Sequence, residues 1–374
     1  MSVLIPVAIA AALLSAAFFM LWRRRNLPEP GKVPAGLPSL SVIIPARNEA
    51  ASLPLLLADL ARQTLKPGEI LVVDDASTDA TSRLARAGGA RVLRIPKGKK
   101  PTGWNGKSFA CHSGVAKARG SLLLLLDADV RLAPDALASL CTLSRERPLA
   151  AFCVQPRHDP ASTREQLSAA LNVLVLSGTN AFTPLGEAWP PSGAFGPCLW
   201  ISKKDYQRCG GHGAVRGEIL DNLPLGKNIV ASGIPLVALQ GGSRVRYRMY
   251  PGGWTEQNQG WSKSLATGAS FSHPAMSIVV GLWITGALCA FGALGQALTF
   301  GAHRGPALVC YGAWVLALWR QFRLAGSFHP LLVLCYPLPF AYLLLMQAHS
   351  IWMLRVRKQV AWRGRLLPAK GEGR

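Results

Sequence analysis

Apolar positions along the chain fall into three regimes. Ser2 to Trp22 carries no charged residue and is long enough to cross a bilayer, which takes about 20 residues. From Ser41 onward the apolar runs shorten. Ser41 to Ile44, Ile70 to Val73, Arg91 to Ile95 and Leu122 to Leu126 read as strands. Stretches of helical character separate them near 49–64, 78–88, 104–119 and 134–146. This alternation predicts a parallel sheet covered by helices on both faces. After residue 272 long apolar stretches return. Met276 to Phe300 and Pro330 to Leu354 contain no Lys, Arg, Asp or Glu, and the shorter Pro306 to Trp319 is followed by Arg320 and Arg323.

The pattern divides the chain into an N-terminal transmembrane anchor (1–24), a linker rich in Pro and Gly (25–38), an α/β domain (39–270), transmembrane helices (271–354) and a basic tail (355–374). Composition agrees: 50% of residues are hydrophobic and only 16% charged, a low charged fraction for a soluble protein. The formal charge is +22, and much of the excess flanks the apolar runs, at Arg23, Arg24, Arg25 and at Arg355, Arg357, Lys358, Arg363, Arg365. That placement points to an anionic membrane surface and not to nucleic acid, for which the chain has no motif. The arginines follow the first apolar stretch, so it reads as an uncleaved anchor ending in the cytosol, and the α/β domain is expected there. The expected localisation is a multi-pass protein of the cell membrane. Three further full spans would put the basic tail on the opposite side, against the positive-inside rule. Either one C-terminal segment is re-entrant, with Pro337-Leu338-Pro339 breaking the last one, or the rule fails here. The eight cysteines form no CxxC pair, so they read as small buried apolar residues of a reducing compartment.

Polar residues gather where the strands end, which is where ligands bind in open α/β sheets. Asp127-Ala128-Asp129 follows Leu122 to Leu126. Paired carboxylates there suit a hard divalent cation (Mg or Mn) that can bridge a diphosphate, although a lone pair of this kind is more often a turn or cap. Asp74 and Asp75 end the second strand and can accept hydrogen bonds from a nucleobase and ribose. Ser41 to Glu49 reads SVIIPARNE, and Trp104-Asn105-Gly106-Lys107 opens a helix whose N-terminus suits phosphate.

In this order, these four pieces resemble the inverting glycosyltransferases of family 2, with the α/β, Rossmann-like GT-A fold. The resemblance covers most of residues 39–270. It implies a nucleotide-sugar donor bound by Pro45, Arg47, Glu49, Asp74, Asp75, Lys107 and Asp127, with a divalent metal on Asp129. Downstream, the family has an acidic pair whose second member is the general base. Aligned on Leu225-Gly226, that pair is Asp221-Asn222 here. Asn222 cannot take a proton, which leaves Asp221 or Glu218 as the catalytic carboxylate. The family's QxxRW motif, with its tryptophan at the acceptor site, is echoed by Gln257-Asn258-Gln259-Gly260-Trp261. Arginine is replaced by Gly260, and Arg246, Arg248 or Lys263 can supply the missing charge. Trp254, Gln257 and Trp261 are the expected acceptor residues; the two tryptophans read equally well as an interfacial aromatic belt.

The stretches GWNGKSFAC at 103–111, GGH at 210–212 and MYPGGW at 249–254 narrow the resemblance to bacterial enzymes that glucosylate a carotenoid carboxylic acid, the diaponeurosporenoate glycosyltransferases. The implied reaction transfers a hexose, glucose from UDP-glucose, to a lipid or isoprenoid acceptor in the membrane. The rival readings are a processive polysaccharide synthase and a catalytically silent membrane scaffold.

Overall fold

The computed structural model describes residues 3–31, 39–218, 220–268, 271–357, 359–362 and 365–368. Residues 32–38 of the expected linker, Ile219, the end of the expected α/β domain at 269–270 and residues 358, 363–364 and 369–374 of the basic tail lie outside the described residues. The chain forms two compact units. One comprises residues 25–157 and 190–248; the other comprises 1–24, 158–189 and 249–366.

The first unit is built on a seven-stranded sheet. Its strands are β1 (Leu40–Ala46), β2 (Glu69–Asp75), β3 (Arg91–Ile95), β4 (Leu122–Leu126), β6 (Ala151–Gln155), β7 (Cys198–Ser202) and β8 (Leu236–Gln240), in the order β3-β2-β1-β4-β7-β6-β8. The four strands expected from the sequence are present and pair in parallel. A further strand that the sequence reading did not name makes the sheet mixed: β7 runs antiparallel to both β4 and β6. It enters the sheet beside the carboxyl end of β4, pairing Cys198 with Leu126, so the segment before it crosses the strand ends where a ligand would sit. A short strand β5 (Val130–Leu132), just beyond β4, pairs with β9 (Val245–Tyr247). Helices α2 (Leu53–Ala61), α3 (Thr81–Ala87), α4 (Gly106–Lys117) and α5 (Ala136–Glu146) connect the strands. Val42, Ile44, Val72, Leu124 and Phe152 are fully buried between sheet and helices, each contributing about 1.5–3 kcal/mol.

The second unit is helical and takes in two stretches, 158–189 and 249–268, that the sequence placed in the α/β domain. The reason is apolar burial. The helix Ala169–Gly178, labelled α7 because α6 is the short turn Thr163–Gln166, buries Leu171, Val173 and Leu176 within this unit. Its longer elements are α1 (Leu4–Met20), α10 (Trp254–Gly268), α11 (Pro274–Phe300), α12 (Arg304–Ala325), α13 (Pro330–Leu334) and α14 (Pro337–Trp352). The remaining two, α8 (Lys203–Arg208) and α9 (Asn222–Ala231), belong to the sheet unit. The last apolar stretch is broken before Pro337, where its proline doublet was expected to interrupt it. Among the described residues one helix, Pro274–Phe300, is long and apolar enough to cross a membrane; Leu4–Met20 is apolar but shorter.

Side chains of α12 cap carbonyls of α1 in step. The Trp314 indole donates to Ala10 O (3.0 Å), the Gln321 amide to Ala17 O (2.8 Å) and Arg320 to Trp22 O (2.8 Å). From Ala10–Trp314 to Ala17–Gln321 both residue numbers rise by seven, so α1 and α12 are parallel. Val3 packs with Ala293 and Ala297, and Leu13 lies beside Gly286, so α11 runs antiparallel to α1. Six of the eight cysteines are buried, as expected; Cys335 is exposed and Cys289 half-buried.

Candidate active site

The loops after β1 and β2 are tied to each other across the strand ends. The Asn48 amide N–H donates to Ser77 Oγ (3.0 Å), Thr78 N–H to Asn48 Oδ1 (2.9 Å) and Glu49 N–H to Thr81 Oγ1 (2.8 Å). Asn48 and Ala76 take left-handed backbone, φ 54° and 53°, a strain that the surrounding bonds hold in place. Arg47 Nη1 donates to Asp75 O (2.8 Å) and lies 3.5 Å from the Asp75 carboxylate. Glu49 is buried and accepts a bond from the Ser52 hydroxyl (2.8 Å) ahead of α2. Asp74 departs from its expected role at the donor. It is fully buried, its Oδ1 accepts from Ser77 N–H (2.9 Å) and its Oδ2 accepts from the Ser82 hydroxyl. Neighbouring side chains of a strand face opposite ways, so Asp74 builds the turn into α3.

Helix α4 starts where expected, with Asn105 Oδ1 accepting from Ser108 N–H (2.7 Å). Its first turn places Lys107 in a small pocket with Pro45, Asp127, His212, Asp221 and Asn222, walled by Leu126, Phe195 and Leu225. Lys107 Nζ lies 2.6 Å from Asp127 Oδ1. Burial works against the ammonium, but the Asp127 and Asp221 carboxylates outweigh it and hold its pKa above the usual lysine range. Asp221 is buried and accepts from Ser108 Oγ (2.8 Å). Asn222, beginning α9, donates from Nδ2 to Ala194 O (2.7 Å). That contact depends on Gly226, where a Cβ would fall 2.1 Å from Ala194 N. Glu218 is absent from the pocket's lining; its backbone carbonyl accepts from the Asn105 side chain.

Sequence reasoning missed His212 as a member of this site, although GGH at 210–212 was visible. His212 N–H donates to the Tyr206 oxygen (2.9 Å), and that hydroxyl lies 2.7 Å from His212 Nδ1. Burial raises the Tyr206 pKa, so the phenol keeps its proton. His212 Nε2 lies 3.8 Å from Asp221 Oδ2. Burial lowers the His212 pKa to about 4 from 6.5; Asp221 opposes the shift and Lys107 reinforces it. Between those values the unfolded chain binds a proton that the folded one does not. Stability therefore falls as pH drops from 6.5 towards 4, by up to about 3 kcal/mol. Thermal midpoints in detergent between pH 7 and pH 4.5 should fall more steeply for wild type than for His212→Gln. Parallel slopes would contradict this.

Asp127 and Asp129 end β4, both half-buried. Among the described residues no three His, Cys, Asp or Glu side chains gather as a closed metal cage. The donor set instead suits a hard cation held by one or two carboxylates and completed by substrate phosphates and water.

The expected acceptor residues lie in the helical unit, on α10. Trp254 is exposed, edge-on to Tyr342. Gln257 and Trp261 are each only 1% exposed. Gln257 Nε2 donates to Arg164 O (2.9 Å), and Trp261 packs edge-on against Tyr250 at 5.7 Å. The same ring explains Gly260, because a Cβ there would fall 2.2 Å from Tyr250 carbons. Arg246, one candidate for the missing charge, pairs with Arg131 across β9 and β5.

The sequence model of Glycosyl transferase family 2 matches residues 41–210. A 4,4'-diaponeurosporenoate glycosyltransferase of Staphylococcus haemolyticus (strain JCSC1435) is 32% identical over 357 residues, covering 94% of this chain and 95% of that protein. The chain belongs to glycosyl transferase family 2. The protein of the same name from Staphylococcus aureus (strain USA300) is 33% identical to this family 2 glycosyltransferase over 338 residues, covering 87% and 88% of the two chains. A solved mannosyltransferase from Pyrobaculum calidifontis, in complex with GDP-Man and Mn2+, superposes with a TM-score of 0.58 at 18% identity, covering 94% of this chain and 99% of that one. The glycosyltransferase thus has the mixed α/β GT-A fold around a central sheet.

Proposed function

We propose that this glycosyltransferase moves glucose from UDP-glucose, with inversion, onto an isoprenoid carboxylate dissolved in the membrane, forming a glycosyl ester. The observation that carries this reading is Asn222. It stands where the family's base is expected, and its amide is tied to Ala194 O. A hydroxyl acceptor needs a base to remove its proton, worth about 10²–10⁴-fold. A carboxylic acid, with a pKa of roughly 4–5, is already ionised at neutral pH. The staphylococcal relatives carry the name of such an acid in their own.

In this reading Pro45, Arg47, Glu49 and Asp75 line the nucleoside end of the donor. Lys107 and the N-terminus of α4 hold the diphosphate and oppose its growing charge. The acceptor carboxylate oxygen bonds to the anomeric carbon as the carbon–phosphate oxygen bond breaks and UDP leaves. A divalent metal, such as the Mn2+ of the mannosyltransferase, would neutralise the leaving diphosphate from Asp129. Asp221 keeps Lys107 charged and Ser108 in place.

The helical unit is the membrane part, with α1 and Arg23 to Arg25 anchoring a cytosolic catalytic unit. Its outward residues are apolar, among them Ile5, Ile278, Phe291, Val309 and Leu345. Trp254 marks the interface where acceptor meets protein.

The test compares a carotenoid monocarboxylic acid with the matching alcohol, using labelled UDP-glucose and the full chain. The acid should react at least about 100-fold faster, give a base-labile product, and keep most of its rate in Asp221→Asn. Efficient transfer to the alcohol that Asp221→Asn abolishes would make Asp221 the base and overturn the ester reading.

A further inference from the structure

We propose that residues 330–352 do not cross the bilayer but enter one leaflet from the side of Trp22 and the arginines that follow it, and return to it. This rests on the membrane reading above and concerns only the path of the last two helices. The parallel contacts of α12 with α1 put the end of α12 level with Trp22 and the arginines that follow it. The next residues are held at that end: Ser327 N–H donates to His158 O (2.8 Å), Ser327 Oγ to Asp159 (2.6 Å) and His329 N–H to Gln166 Oε1 (3.0 Å).

From there α13 leads inward. Leu334 O accepts from the Tyr311 hydroxyl (2.8 Å), and Tyr336 OH donates to Ala287 O (2.8 Å). Ala287 lies midway along α11 (Pro274–Phe300), about 20 Å from its start at 1.5 Å per residue. Tyr311 lies about 21 Å from the end of α12 by the same rise, so both neighbours put the turn at half depth. The chain then reverses. Four residues after Tyr336, Phe340 packs on Trp283 at 4.7 Å, so contacts on α11 move back from 287 to 283. Further on, His349 Nδ1 meets Ser262 Oγ (2.7 Å) on α10, which precedes α11.

Backbone bonding agrees. Non-helical backbone at membrane depth must be satisfied by protein. Here Cys335 N–H donates to Leu332 O (3.1 Å), Tyr336 N–H to Val333 O (3.3 Å), and Tyr311 serves Leu334 O. Outward, the hairpin offers lipid the exposed Leu331, Leu334, Leu338 and Leu345. This path returns Arg355 to the side of Arg23 to Arg25, as the positive-inside rule requires.

The experiment places single epitopes in the full chain, at the C-terminus, after Gly31, or at Ala302 between α11 and α12, and digests inverted vesicles and spheroplasts with protease. Transferase activity of each tagged chain verifies its fold, and Ala302→Cys with an impermeant maleimide replaces any inactive insertion. Both the Gly31 and C-terminal epitopes should be cut only in inverted vesicles, and the Ala302 epitope only in spheroplasts. A C-terminal epitope cut together with Ala302 means a full crossing and overturns the hairpin alone. If Ala302 shares the side of Gly31, or alkaline carbonate releases the chain, the membrane reading itself fails.

Discussion

Asp129→Ala is expected to lower transfer by 100-fold or more while the melting midpoint stays within a few degrees of wild type. The carboxylate stands half-buried at the end of β4, outside the apolar core, so its loss leaves no large cavity. Its proposed work is to hold the cation that neutralises the departing diphosphate. Such charge stabilisation is worth several kcal/mol, and each 1.36 kcal/mol is tenfold in rate. Turnover of wild type and mutant across a Mn2+ or Mg2+ titration in chelator-treated buffer is the measurement. Wild type should need metal, and no concentration should restore the mutant. Near-normal turnover of Asp129→Ala without metal would remove Asp129 from the reaction.

Lys107→Met should cost about 10²–10³-fold in kcat, the range for one preorganised donor to developing charge. The ammonium is held between Asp127 at 2.6 Å and the field of Asp221. Without it, those two carboxylates meet the diphosphate uncompensated, so donor affinity falls together with kcat. Initial rates against UDP-glucose, beside equilibrium binding of UDP, separate the two effects. A mutant that loses UDP affinity but keeps kcat would make Lys107 a ground-state anchor only.

Much of the catalytic unit was legible in the chain. Four apolar runs bounded by polar residues located β1 to β4, and Asn105 with Gly106 marked the start of α4. The proline doublet at 337–339 marked the break between α13 and α14. Strand direction was not legible, because alternation is the same whichever way a strand runs; β7 became antiparallel through the path of the segment before it. Asp74 and Asp75 looked equivalent as letters, yet successive side chains face opposite ways, and Asp74 is taken up by Ser77 and Ser82. Gly260 read as a lost arginine until the ring of Tyr250 was seen to fill the space beside it. His212 was hidden because its partners, Tyr206 and Asp221, come from opposite sides of it in the chain. The burial of Gln257 and Trp261 depends on Arg164 and Tyr250, whose proximity no local pattern announces.

The pairing of α1 with α12 bears on how the protein is made. The carbonyl of Ala17 receives its proton from Gln321, 304 residues later. At bacterial-to-eukaryotic synthesis rates of about 5–20 residues per second, the first helix leaves the ribosome on the order of 15–60 s before that partner exists. Its antiparallel neighbour α11 arrives shortly before α12, so through most of that interval the first helix lacks both of its helical partners. The strands of the sheet unit are all made while the first helix still lacks these partners. Truncations ending before α11 should therefore leave a folded sheet unit joined to a helix open to other partners, a state from which wrong pairings begin.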